Sequence, residues 1–202
     1  ADWDIIRQVK EAVSIPVQLR VFGMDTNNAL RMYGVLTGMA LPLILFPTAV
    51  SNSIASMTLP AIAELQASRN HTAIKIFVSR LCLGSLLLGA MCSVVFLFGG
   101  SLAGIWLFHS SLAGKFITTL AWICPFLYTN SILTSIINGL GKPFISFLYN
   151  SLHLIIRILS IYIYIPQKGI YGYLIGLLFS QVLLFFLSLQ FLYRYFQKGE
   201  TL

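Results

Sequence analysis

Apolar residues fill this chain in long blocks, and polar residues recur inside those blocks at helical spacing. Five blocks reach the ~20 residues an α-helix needs to cross a bilayer: 33–63, 74–99, 116–138, 144–165 and 170–193. All five read as helices, because a closed transmembrane barrel would need short alternating strands. The expectation is an all-α, polytopic transmembrane helix bundle of about five spans. The links at 139–143 and 166–169 are short and carry Gly and Pro, which stop and restart helices. Each should join an antiparallel hairpin. The first block holds Pro42, Pro47 and Pro60. Interior proline removes a backbone donor and kinks a helix, which suits either a bent packing helix or a bending element.

The fourth block carries Arg157 near its middle. Ser146, Asn150, His153, Arg157, Ser160 and Tyr164 follow steps of 4, 3, 4, 3 and 4, which is one helix face. A guanidinium at mid-depth costs roughly 2.5–3.5 kcal/mol on insertion scales, so it should face protein or a wet cavity. Thr48, Asn52 and Ser56 share a face of the first block. Asn130, Thr134 and Asn138 do so in the third, beside Ser131 and Ser135, and the fifth adds Ser180 and Gln181. Such residues either bond helix to helix, worth roughly 0.6 kcal/mol each, or line a hydrated cavity. The candidate substrate-cavity residues are Arg157, His153, Asn150, Asn130, Asn138, Asn52 and Gln181. Arg157 is expected on the concave side together with Asn150 and His153.

Composition removes the soluble alternative. Of 202 residues, 57% are hydrophobic and 9% charged, against about 25% charged in soluble domains. Lys and Arg total 13 against six acids, but they stand singly between apolar runs. Nucleic-acid binders cluster theirs, so the excess reads as loop topology and no nucleic acid is expected. Alternating spans put Arg20, Arg31, Lys115 and Lys168 on one side. Arg69, Lys75, Arg80, Lys142, Arg194 and Lys198 fall on the other, which the positive-inside rule makes cytoplasmic.

Little else carries chemistry. Cys82, Cys92 and Cys124 all lie in apolar runs without CxxC spacing, so they read as buried thiols rather than disulfides or zinc ligands. Gly139-Leu140-Gly141-Lys142 is followed by Pro143 and lacks phosphate-loop spacing. Asn70-His71-Thr72 matches a glycosylation sequon on the side expected inside. No enzyme motif, metal-ligand cluster or cofactor is expected. In residues 1–31, Trp3, Ile6, Val9 and Val13 form an apolar side ending near Pro16, either an interfacial segment or the tail of a truncated span. Asp25-Thr26-Asn27-Asn28 then reads as a loop and helix N-cap. The organisation is 1–31 as that segment plus loop, 32–196 as the bundle, and 197–202 as a cytoplasmic tail. A start at Ala1 without Met suggests a fragment.

Particular residues resemble a known family. Phe46-Pro47 followed by Leu59-Pro60-Ala61-Ile62-Ala63-Glu64 resembles the proline-rich helix of the multidrug/oligosaccharidyl-lipid/polysaccharide exporter superfamily. So do Asn138-Gly139-Leu140-Gly141-Lys142-Pro143, and the run from Gly169 to Gly176 followed by Ser180-Gln181. Together, from about Ile15 to Tyr195, they are most similar to the stage V sporulation protein B and polysaccharide flippase branch. The resemblance implies two pseudo-symmetric lobes of 12 to 14 helices around a central cavity, this chain being most of the C-terminal lobe. It implies alternating-access flipping of a polyprenyl-linked sugar, with membrane lipids and an absent N-terminal lobe as partners, in the bacterial inner membrane. Related lipid II flippases have a cavity arginine shortly before the Phe-Pro pair, where this chain has Ala40-Leu41-Pro42-Leu43. Arg157 is then the basic candidate for a diphosphate contact.

Three functions stay open at this point. A lipid-linked oligosaccharide flippase suits a cationic cavity, since Arg pairs with phosphate through several donors. A drug/cation antiporter of the same superfamily would want an intramembrane acid, and all six acids lie at ends or loops. The third is a truncated, non-transporting membrane protein.

Overall fold

The computed structural model describes residues 15–68 and 71–199, which are helical throughout apart from short turns. Residues 15–21 form a helical stretch that turns at Gly23, where φ is 98°. The apolar side expected over residues 3–13 lies outside the described residues. Asp25 then caps α1 (Thr26–Val35), its Oδ2 accepting from the Asn27 N–H. A π-helical turn (Leu36–Ala40) leads into α2 (Leu41–Leu45), and α3 (Thr48–Ala67) follows. Next come α4 (His71–Trp106), α5 (Ser111–Leu120), one 3-10 turn (Ala121–Ile123) and α6 (Cys124–Gly139). The chain closes with α7 (Pro143–Lys168) and α8 (Ile170–Gly199). Among the described residues, five helical units are long and apolar enough to cross a membrane: Thr26–Leu45, Thr72–Trp106, Ser111–Gly139, Pro143–Lys168 and Ile170–Gln197. The chain is a multi-pass helical membrane bundle.

The first span departs from its expected bounds of 33–63. It starts at Thr26, where Asp25 caps it. The polar look of this turn is one-sided: Asn27, Asn28 and Arg31 are exposed while Ala29 is fully buried. It breaks at Phe46-Pro47, because Pro47 cannot donate to the Leu43 carbonyl. That carbonyl accepts from the Phe46 N–H instead. The Thr48 hydroxyl takes the Leu45 carbonyl, and the Tyr128 hydroxyl donates to the Ile44 carbonyl at 2.8 Å. The Leu43, Ile44 and Leu45 carbonyls at the break thus all have partners, as a lipid surrounding demands.

Helix α3 continues the same crossing. Tyr128 meets Ile44, Ser131 meets Asn52, and Gly139 lies against Ile62. Both numbers rise together, so α1–α3 runs parallel to α5–α6. Helix α4 runs antiparallel against that pair, at about 54 Å for its 36 residues. Small residues bring the backbones together there. A Cβ on Gly104 would stand 2.3 Å from the Gly114 nitrogen, and one on Gly89 2.5 Å from the Pro125 Cα.

The two hairpins differ in kind. Leu140, Gly141 (φ 72°) and Lys142 join α6 to α7, within the expected 139–143 link. The second link is shorter than the expected 166–169, because α7 runs through Pro166 and only Gly169 (φ 61°) turns the chain. Pro166 cannot donate to the Tyr162 carbonyl, yet the helix continues to Lys168. Positive φ at the turn requires glycine. Beyond it, Gly172 packs on the Tyr164 carbonyl and Gly176 on the Ser160 side chain, the small-xxx-small seam of membrane helices. Helix α8 also runs past 197, where a tail was expected.

Two apolar clusters form the interior. One gathers α1–α2, α5, the start of α6 and the hairpin end of α7 and α8; the other gathers α3, the start of α4, the rest of α6 and the far end of α8. Phe98, Trp106, Phe144 and Phe147 are exposed around the outside, where lipid would cover them.

Candidate functional site

At the level where the two apolar clusters meet, the packing opens into a cavity of about 530 Å³ between α3, α6, α7 and α8. Each wall supplies polar groups because each carries a polar stripe at helical spacing. Asn52 and Ser56 come from α3, four residues apart; Asn130, Ser131, Thr134 and Ser135 come from α6. Asn150 and His153 come from α7, three apart, and Gln181 from α8. Ala55, Leu127 and Leu184 complete the wall. Among the described residues, no Asp, Glu, Lys or Arg lines it.

The polar groups hold one another across helices. Ser131 Oγ donates to Asn52 Oδ1 at 2.7 Å, tying α6 to α3. Asn130 Nδ2 donates to Gln181 Oε1 at 2.7 Å and to the Gln181 carbonyl at 3.0 Å, tying α6 to α8. Asn130 is 5% exposed, and its Oδ1 has no partner among the described residues. A buried carboxamide oxygen without a donor is an unmet acceptor, which a water or a shift of the wall would complete. Asn150 spends its Nδ2 locally on the Ser146 carbonyl at 2.8 Å, leaving its oxygen toward other donors. Pro60 adds to this lining, since it cannot donate to the carbonyl of Ser56, itself a wall residue.

Five of the seven sequence candidates therefore come together: Asn52, Asn130, Asn150, His153 and Gln181. Asn138 does not. It ends α6, and its carbonyl accepts from the Leu140 and Gly141 N–H groups of the hairpin turn. Arg157 shares the helix face of Asn150 and His153 but does not line the cavity with them. Its Nη2 donates to the Tyr173 hydroxyl on α8 at 2.7 Å. The guanidinium carbon is 5.8 Å from the Tyr173 ring centroid. That is the outer limit for a cation–π contact, so the hydroxyl contact dominates. The physical reason is the shape of the α7–α8 pair. Near the hairpin, Gly172 and Gly176 let the helices touch, and the polar face of α7 meets α8 directly. Farther along, the helices open and the same face lines the cavity.

Sequence reasoning singled out neither Tyr173 nor Tyr128. For Tyr173 a signal existed: Gly172, Gly176 and Ser180 recur every fourth residue, which marks a helix-contact face, and Tyr173 adjoins it. Tyr128 has no comparable signal, because its partner is a backbone carbonyl 84 residues away.

No family model, curated protein or solved structure matches this chain.

Proposed function

We propose that this chain is the C-terminal half of a flippase for lipid-linked oligosaccharides, working by alternating access in the bacterial inner membrane with an N-terminal lobe as its partner. The observation that carries the reading is the chemistry of the cavity wall. Carboxamides, hydroxyls and one imidazole suit a polyhydroxylated headgroup, which both donates and accepts hydrogen bonds. Asn130 Oδ1 is an unmet acceptor that a sugar hydroxyl would satisfy as the wall moves in alternating access, while Gln181 retains its amide donors for a sugar oxygen. A drug/cation antiporter would want a carboxylate in the same place. Asp25 instead caps α1, and Glu64 sits near the end of α3.

The test replaces the carboxamides with an apolar residue of similar size in the native gene product. Asn130→Leu and Gln181→Leu should each abolish delivery of lipid-linked sugar to the outer leaflet at matched membrane levels. The lipid-facing change Ile155→Leu should leave delivery intact. Normal delivery by both carboxamide variants would defeat the proposal.

A further inference from the structure

Arg157 occupies the junction between two environments on one helix face. On one side His153 and Asn150 line the cavity, one and two turns away. On the other side α7 closes onto α8. Gly172 packs against Tyr164 and Gly176 against Ser160, so Tyr173 leaves α8 near the level of the Tyr164 turn, on the hairpin side of Arg157. Tyr173 is 2% exposed and sits within the apolar cluster at the hairpin end. Its hydroxyl is thus a fixed acceptor, while Arg157 has a long flexible stem. Helical side chains favour pointing back toward the N-terminus of their helix, which for Arg157 is the direction of His153 and the cavity. The bond to Tyr173 competes with that direction.

We infer that Tyr173 is a positioning residue that docks Arg157 outside the cavity, and that a phosphate-bearing ligand entering the cavity draws the guanidinium off the tyrosine. This rests on the transport reading for the identity of the cavity and adds its gating. A neutral phenol is a one-point acceptor. A diphosphate offers several anionic oxygens in the bidentate geometry a guanidinium matches, so two bonds to an opposite charge replace one bond to a neutral oxygen. With Arg157 docked, the cavity wall is uncharged and indifferent to anions. With Arg157 released, it carries a cation beside His153. The phosphate therefore supplies the differential binding that moves the equilibrium.

The measurement is binding of farnesyl diphosphate, farnesol and inorganic pyrophosphate to the purified native gene product in nanodiscs. Wild type should prefer farnesyl diphosphate over farnesol, and Arg157→Ala should lose that preference. Tyr173→Phe keeps the ring and removes only the competing hydroxyl. Apparent affinity scales with the fraction of molecules in the competent state, so an arginine docked nine-tenths of the time gives about tenfold tightening on release. We expect Tyr173→Phe to tighten farnesyl diphosphate about three- to tenfold and to leave farnesol unchanged. A tyrosine with a purely structural role would give unchanged or weaker binding, and that result overturns the inference, as does a wild type that treats diphosphate and farnesol alike. Tightening for farnesyl diphosphate alone assigns the anion to a lipid headgroup. Tightening for pyrophosphate as well assigns it to free phosphate chemistry too; either supports release. A second measurement needs no change at Tyr173. The Arg157 Nε–H resonance in ¹⁵N-arginine protein, assigned by its loss in Arg157→Lys, should shift with farnesyl diphosphate and not with farnesol. An unmoved resonance overturns the inference. Normal sugar delivery by the carboxamide variants would defeat the transport reading and leave these binding arms to be read on their own.

Discussion

Alanine at Gly176 should split the α7–α8 pair, whereas alanine at Gly84 should stabilise the protein. Both are interior helix positions, where alanine is favoured over glycine by about 0.8–1.0 kcal/mol. At Gly84 an added Cβ meets nothing within 4 Å, so most of that gain should appear. At Gly176 the new Cβ would stand 2.3 Å from Ser160 Cβ and 2.8 Å from Ser160 Oγ. Carbon atoms pack best at about 3.5–4.0 Å, so the helices must part locally by more than an ångström. Helix α7 packs chiefly on α8, so that seam holds most of its contacts. Overpacking costs about 1–3 kcal/mol; less the propensity gain, Gly176→Ala should lose up to about 2 kcal/mol. Unfolding free energy by steric trapping in bicelles measures both variants. The close atom is Ser160 Cβ, so Ser160→Gly should restore the double variant and Ser160→Ala should not, a coupling that a double-mutant cycle isolates. A Gly176→Ala variant stabilised as much as Gly84→Ala would refute the packing argument, and rescue by Ser160→Ala would show that the hydroxyl was the obstacle.

Tyr128→Phe leaves the Ile44 carbonyl buried without its donor, and the same assay should show a loss of about 1–3 kcal/mol; unchanged stability would mean the break at Pro47 does not depend on that bond. Asn130→Ala and Gln181→Ala should be coupled by roughly 0.6 kcal/mol, with about 1.7 as the upper end for such pairs, and strictly additive losses would contradict the Asn130–Gln181 contact. For topology, Asn70→Cys on a background lacking Cys82, Cys92 and Cys124 should react with an impermeant thiol reagent only after cells are permeabilised. Ready labelling of intact cells at that position would reverse the assigned orientation.

The existence of the spans was legible because a crossing helix must be both long and apolar, and neither condition depends on neighbours. Their ends were less so. Asn27, Asn28 and Arg31 look like a loop, yet Ala29 buries one side of that turn and makes it helix. Pro47 announced a kink, but only Tyr128 and Thr48 decide that the break is tolerated. The candidate site divided along the same line. Helical spacing put Asn52, Asn130, Asn150, His153 and Gln181 on polar faces, and those faces converge. The same spacing aligned Arg157 with Asn150 and His153 without saying where the facing helix approaches. Glycines 172 and 176, on a different helix, decide that, so the position of Arg157 was written in a segment the stripe does not include. Asn138 failed for a local reason, since Gly141 draws it into the turn that ends α6.

The polar contacts around the cavity join segments made far apart in time. Asn52 waits for Ser131, 79 residues later, and Asn130 for Gln181, 51 residues later. At about 5–20 residues per second during synthesis, the first interval lasts roughly 4–16 s. Through that interval the first crossing carries Asn52 and a proline break toward the bilayer before α6 exists to receive them. The α7–α8 hairpin has no such delay, because Gly172 and Tyr164 emerge almost together. Assembly of this bundle therefore has an order: the hairpin closes as it is made, and the cavity wall is completed last.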